Sequence, residues 1–136
     1  MKIRSFLMIG ALTNILWAAE PAMPQENFDD FFVEFMEKPE YQKSRIQFPL
    51  LSITAHMESD KNDTVKVERH QWKFNDFKPL RSGMQVRQYD NFERRLRDSN
   101  ERVVSLMGND NGIMYSYYFK RIESRWYLVR VLDESS

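Results

Sequence analysis

The chain has 136 residues, 20 basic and 20 acidic side chains, and no cysteine. That length supports one domain, and the even charge balance excludes the strong field that nucleic acid or an anionic membrane would ask for. The lack of cysteine excludes disulfides and a lipid-anchored leader, so an ordinary apolar core must hold the fold.

The first residues stand apart. Lys2 and Arg4 precede a mostly apolar run from Phe6 to Trp17, interrupted at Thr13-Asn14, and the small residues Ala18 and Ala19 follow. This is the three-part layout of a secretory signal peptide over 1–19. The run falls short of the roughly 20 apolar residues that span a bilayer. The expected product is a soluble periplasmic or secreted protein of a bacterium, with no membrane attachment after cleavage. Losing Lys2 and Arg4 from the 20 basic residues leaves 18 against 20 acidic ones, a net charge of about −2.

Residues 20–26, with Pro21 and Pro24, read as a flexible lead-in to a single domain over 27–136. Asn27 is placed to cap a helix, and Asp29 and Asp30 suit the positive end of its dipole. Phe28, Phe31, Phe32, Phe35 and Met36 recur at three- and four-residue spacing, which makes one apolar stripe. Pro39 ends that helix near Lys38 and can open a second short one, Pro39 to Ser44. The period then changes to two. Ile46, Phe48 and Leu50 lie to one side, and Leu51 and Ile53 to the other. Pro49 cannot donate to a ladder, so this strand is expected to start there or to lie at an edge.

A polar loop, Glu58 to Asp63, leads to a return strand beginning at Thr64, and the pair reads as a long hairpin. Residues 77–83 read as a turn and 84–92 as a strand; 93–101 fits either a strand connection or a helical stripe. The β-branched Arg102 to Met107, the Asn111-Gly112 turn signal, and Ile113 to Ile122 paired with Arg125 to Leu132 around Glu123-Ser124 complete the chain. Helices first and antiparallel strands after is an α+β plan.

The last two strands carry apolar residues on both sides. Tyr127, Val129 and Val131 alternate with Trp126, Leu128 and Leu132; Tyr115, Tyr117 and Phe119 alternate with Met114, Tyr118 and Ile122. A sheet wetted on one face would alternate apolar and polar, so both faces want cover. The phenylalanine helix supplies one. The other is expected from the sheet curling on itself or from a second subunit, which makes a homodimer through the outer face.

The stretches ENFDDFFVEF, EYQKSRIQFPL and MYSYYFKRIESRWYLVRVLDE, with Trp72 between them, resemble in order a Bacteroidetes domain-of-unknown-function family, number 4348, over nearly all of 20–136. The resemblance implies a nuclear-transport-factor-2-like, cystatin-like fold: N-terminal helices packed on a strongly curved antiparallel sheet. Members often carry Asn-Gly at the last turn, where this chain has Glu123-Ser124. No catalytic residue comes with the resemblance.

The chemistry-bearing residues have plain readings. His56 and His70 fall on the two arms of the hairpin, with Glu58, Asp60, Asp63 and Glu68 near in sequence. A histidine–acid dyad or metal pair would need them together, but no metal-ligand spacing is present and surface histidines account for them. Asp29 and Asp30 are explained by helix capping. The GNDNG stretch is too short for a calcium loop. Arg87, Arg94, Arg95, Arg97 and Arg102 are interleaved with acids, as on a solvated face. Asp63-Thr64-Val65 matches a Bacteroidetes O-glycosylation pattern, with Thr64 as the acceptor.

Folds of this class often leave a pocket between helix and sheet, and Arg45, Trp72, Tyr117 and Trp126 are the residues expected to line it if it is not simply filled core. The function expected is that of an exported, non-enzymatic binding or interaction module for a small apolar or amphipathic ligand or a protein partner, with no cofactor, metal or nucleic acid. The alternative is a small-molecule isomerase or dehydratase using the same cavity. A cystatin-like protease inhibitor would require glycine-bearing wedge loops that the sequence lacks.

Overall fold

The computed structural model describes Gly10 and residues 23–78 and 83–136. The expected signal peptide apart from Gly10, residues 20–22 of the lead-in, and residues 79–82 of the turn lie outside the described residues. Two helices, α1 (Phe28–Glu37) and α2 (Pro39–Ser44), precede six strands: β1 (Ile46–Ala55), β2 (Asn62–Val67), β3 (Gln85–Tyr89), β4 (Glu101–Met107), β5 (Met114–Ile122) and β6 (Arg125–Asp133). The strands form one sheet in the order β2-β1-β6-β5-β4-β3. Every pair is antiparallel except β1 and β6, which run parallel, the long connection this needs being supplied by β2 to β5.

The helices form as the sequence dictates. Asn27 caps α1, its Oδ1 accepting from the Asp30 backbone N–H at 3.1 Å, and Pro39 opens α2. Phe28, Phe31 and Phe35 are buried from α1 and meet the sheet through Phe119 at ring separations of 5.3, 5.8 and 5.4 Å. Phe28 also lies edge-on to Trp126 at 5.1 Å. Such ring pairs add about 0.5–1.5 kcal/mol each to the area they bury. This aromatic layer fixes the helices on the inner face of the sheet.

Four strand expectations need correction. β1 neither starts at Pro49 nor lies at an edge; it sits between β2 and β6. Pro49 is tolerated because the β1/β6 register breaks between Ile46 and Leu51, and an irregularity of this kind has no ladder bond for proline to lose. The return strand β2 ends at Val67, and a 3-10 turn, Arg69–Gln71, takes His70 off it. The Asn111-Gly112 hairpin is a longer loop over 108–113, in which Asp110 and Gly112 take positive φ (57° and 68°) and Gly108 N–H bonds to Ile113 O. The tight turn is instead at Glu123-Ser124, where both residues take positive φ (47° and 72°), as a type I′ turn requires.

The fourth correction concerns β6. Tyr118 pairs with Arg130, yet Phe119 pairs with Leu128, so Val129 is an extra residue. The bulge reverses the alternation beyond it. Trp126 and Leu128 therefore share the inner core with Val131, not with Leu132.

Over β4 and β5 the outer face finds cover in the chain itself. Val103 and Tyr118, paired across β4 and β5, are 0% and 5% exposed. Phe92, from the irregular stretch after β3, stands perpendicular to Tyr118 at 5.1 Å, and the Arg130 guanidinium lies 3.9 Å from the Tyr118 ring centre. The 93–101 segment is neither helix nor strand up to Glu101; it is the loop that follows this cover.

Candidate functional site

The inner face of the sheet extends beyond the reach of the helices. Between β1, β2, β5 and β6 on one side and residues 71–75 on the other lies an open cavity of about 330 Å³. Leu50, Val67 and Val131 give it an aliphatic floor, and Trp72, Tyr115 and Tyr117 give it rings. Its polar lining is Ser52, Gln71, Lys73 and Asn75.

Beyond Gln71, the last residue of the 3-10 turn, the wall has no regular structure, so its shape depends on side-chain bonds. Gln42, wholly buried on α2, holds it. Its Nε2 donates to Phe35 O (2.8 Å) and Asn75 O (2.7 Å), and its Oε1 accepts from Trp72 Nε1 (3.1 Å) and Asn75 N–H (3.0 Å). Four partners use the full capacity of the amide. Phe77, at φ 52°, then turns into the core against Tyr117 at 4.9 Å, and its N–H is taken by Asn75 Oδ1 at 3.0 Å.

Tyr117 is the polar anchor of the floor. Burial pushes its phenol up to about 12, against a smaller opposing effect of Asn75, so the hydroxyl stays protonated at neutral pH. Asn75 Nδ2 donates to its oxygen at 3.0 Å, which leaves the phenolic proton to donate elsewhere.

Of the four residues expected to line a pocket, Trp72 and Tyr117 do. Arg45 and Trp126 stand together at another place. Arg45 clamps Glu26 with two bonds of 2.8 and 2.9 Å and donates to Trp126 O at 3.2 Å. Glu26 also accepts from the Trp126 backbone N–H at 2.7 Å, and its carbonyl accepts from Trp126 Nε1 at 2.9 Å. Trp126 is 0% exposed. Glu26 thus belongs to the fold rather than to a flexible lead-in, and Arg45 spends its donors on structure.

His56 and His70 are both exposed and are not brought together. His56 follows β1 and meets Asp63 at 2.7 Å, at the end of the hairpin where Ala55 pairs with Asn62; the 3-10 turn of His70 follows Val67 at the other end. Thr64 is exposed on β2, paired with Ile53. Among the described residues no group of histidines and carboxylates has the makings of a metal site. Sequence reasoning missed Gln42, Gln71, Lys73 and Asn75. An isolated polar residue on a six-residue helix gives no periodic signal, and the other three fall in a segment without a period.

A protein-family model matches residues 26–135. Among solved structures, a nuclear-transport-factor-2-like protein of Bacteroides fragilis is 25% identical, with a TM-score of 0.59 over 82% of this chain and 48% of that one. The chain therefore spans about half the length of that protein. A protein of Bacteroides uniformis is 18% identical, with a TM-score of 0.50 over 79% of this chain and 76% of that one; this likeness concerns the fold alone. No curated protein matches.

Proposed function

We propose, from the premise that this chain belongs to a Bacteroidetes family of nuclear-transport-factor-2-like proteins, that it is an exported module which binds a small, largely apolar ligand in the cavity between β1, β2, β5, β6 and the 71–75 wall. The observation that carries the reading is the cavity itself: about 330 Å³, at the lower end of the size of ligand sites, open at the surface, ringed by Trp72, Tyr115 and Tyr117, and built on a wall that a saturated buried amide holds in place. Export rests on the charged, apolar and small-residue succession of 1–19. Among the described residues no helix is long and apolar enough to cross a membrane.

The isomerase or dehydratase reading would need a base among the lining residues. Those residues offer neither carboxylate nor imidazole, the Tyr117 phenol is held protonated, and the one amine, Lys73, is exposed. Binding is what the lining favours.

Isothermal titration with 2-naphthamide, a neutral two-ring probe of suitable size, tests it. Saturable binding is expected, weakened at least roughly tenfold by Val131→Trp, which fills the cavity, with the circular-dichroism spectrum unchanged. No heat, or equal affinity in the filled variant, refutes the reading.

A further inference from the structure

The hydrogen-bonding state of the lining narrows the ligand class, and the inference rests on the binding reading above. Asn75 Oδ1 is engaged by the Phe77 N–H, and Gln71 Oε1 accepts from the Glu68 N–H at 2.9 Å. Tyr117 oxygen accepts from Asn75. Their acceptors are turned to the protein, while among the described residues the Gln71 amide N–H groups, the second Asn75 N–H and the Tyr117 proton have no partner. Lys73 adds three donors and no acceptor. Trp72 contributes only its ring, since its N–H goes to Gln42. The Ser52 and Tyr115 hydroxyls serve either role. Lys73 is also the one charged residue of the lining, and among the described residues it enters no ion pair. Asp133, whose charge acts on the Tyr117 phenol, lies outside the lining and accepts from the Ser135 N–H at 3.0 Å.

A wall rich in free donors, with one cation and no anion, suits a group that only accepts. A carboxylate is such a group. We propose that the occupant is a small ring-bearing monocarboxylate, its apolar body between the aromatic rings and the aliphatic floor, its carboxylate toward Lys73, Gln71 and the Tyr117 hydroxyl.

The test compares 2-naphthoate with 2-naphthamide by isothermal titration on the native protein and on Lys73→Gln, an exposed position whose replacement leaves the core intact. The native protein is expected to bind the carboxylate roughly tenfold more tightly than the amide. Lys73→Gln should erase most of that preference, and raising the salt concentration should weaken the carboxylate alone. Equal binding of the two probes, a preference for the amide, or a carboxylate preference indifferent to Lys73→Gln overturns the carboxylate assignment while leaving the cavity a binding site. Failure of both probes removes the binding reading, and the assignment with it.

Discussion

The Gln42 amide and the Trp72 indole are joined by a 3.1 Å hydrogen bond that ties the second helix to the cavity wall. The other bonds of Gln42 fix Phe35 and Asn75, so one buried side chain sets the distance between the helical layer and the 71–75 segment. Gln42→Leu keeps the volume and strands the Trp72 N–H, the Asn75 N–H and two carbonyls. Each buried orphan costs about 1–3 kcal/mol where water does not reach it, and the opening toward the cavity lets some be resolvated. The expected loss is about 2–4 kcal/mol, read as a lower urea midpoint with an unchanged slope. A midpoint equal to the native one would show that the wall stands without this amide.

The Glu26 carboxyl gives a pH dependence. Burial by itself would raise its pKa, but the Arg45 guanidinium and the Trp126 backbone N–H outweigh that and hold it below the ordinary 4.5. A carboxyl depressed in the folded state stabilises the protein above its unfolded pKa, and that stabilisation is lost as pH falls through the folded one. The stability difference between the native protein and Glu26→Gln should thus be largest near pH 7 and shrink from about pH 4.5 downward. A constant difference between pH 7 and pH 3 in urea titrations would contradict it.

The Glu123-Ser124 turn holds two residues with side chains at positive φ. Conformations of this kind cost of order 1 kcal/mol or more when the residue is not glycine or asparagine. Its compensation is modest: Ser124 Oγ has contacts of 3.3 Å with Gln25 Nε2 and Met23 O, while the 2.9 Å bond from the Glu26 N–H uses the Ser124 carbonyl and survives substitution. The double change Glu123→Asn, Ser124→Gly should raise stability by about 0.5–1 kcal/mol, seen as a Tm a few degrees higher. A lower Tm would mean that the serine hydroxyl matters more than the backbone.

The outer face makes a fourth stability prediction. Phe92 covers Tyr118, and Arg130 and Lys120 lie over its ring at 5.6 and 5.4 Å. Phe92→Ala should cost about 1–3 kcal/mol and uncover Tyr118, measured as a lower urea midpoint together with enhanced binding of an apolar dye. If stability is unchanged, the cover of this face lies elsewhere.

Much of this architecture could be read before folding. Asn27, the phenylalanine spacing of α1 and Pro39 fix both helices locally, and the β-branched and aromatic runs give the strands that carry the core. What escaped depends on pairing between distant residues. The bulge at Val129 inverts the faces of β6 beyond it, and nothing in the alternation Trp126, Leu128, Leu132 announces it. Pro49 looked like an edge signal because the register break that accommodates it exists only against β6. Of the site, the rings Trp72 and Tyr117 were legible as large aromatics near a sheet, whereas Arg45 and Trp126 share that description and serve the Glu26 clamp. Gln42 and Asn75 acquire meaning only through bonds 33 positions apart in the chain.

The central claim, that the hollow against the 71–75 wall receives a ligand, is tested most directly by 1H–15N shift mapping with 2-naphthoate. The account predicts saturable changes confined to the amides of Ser52, Lys73, Asn75 and Val131 and to the Trp72 indole N–H. An unperturbed spectrum, or changes gathered on the outer face around Leu51 and Leu132, would contradict it.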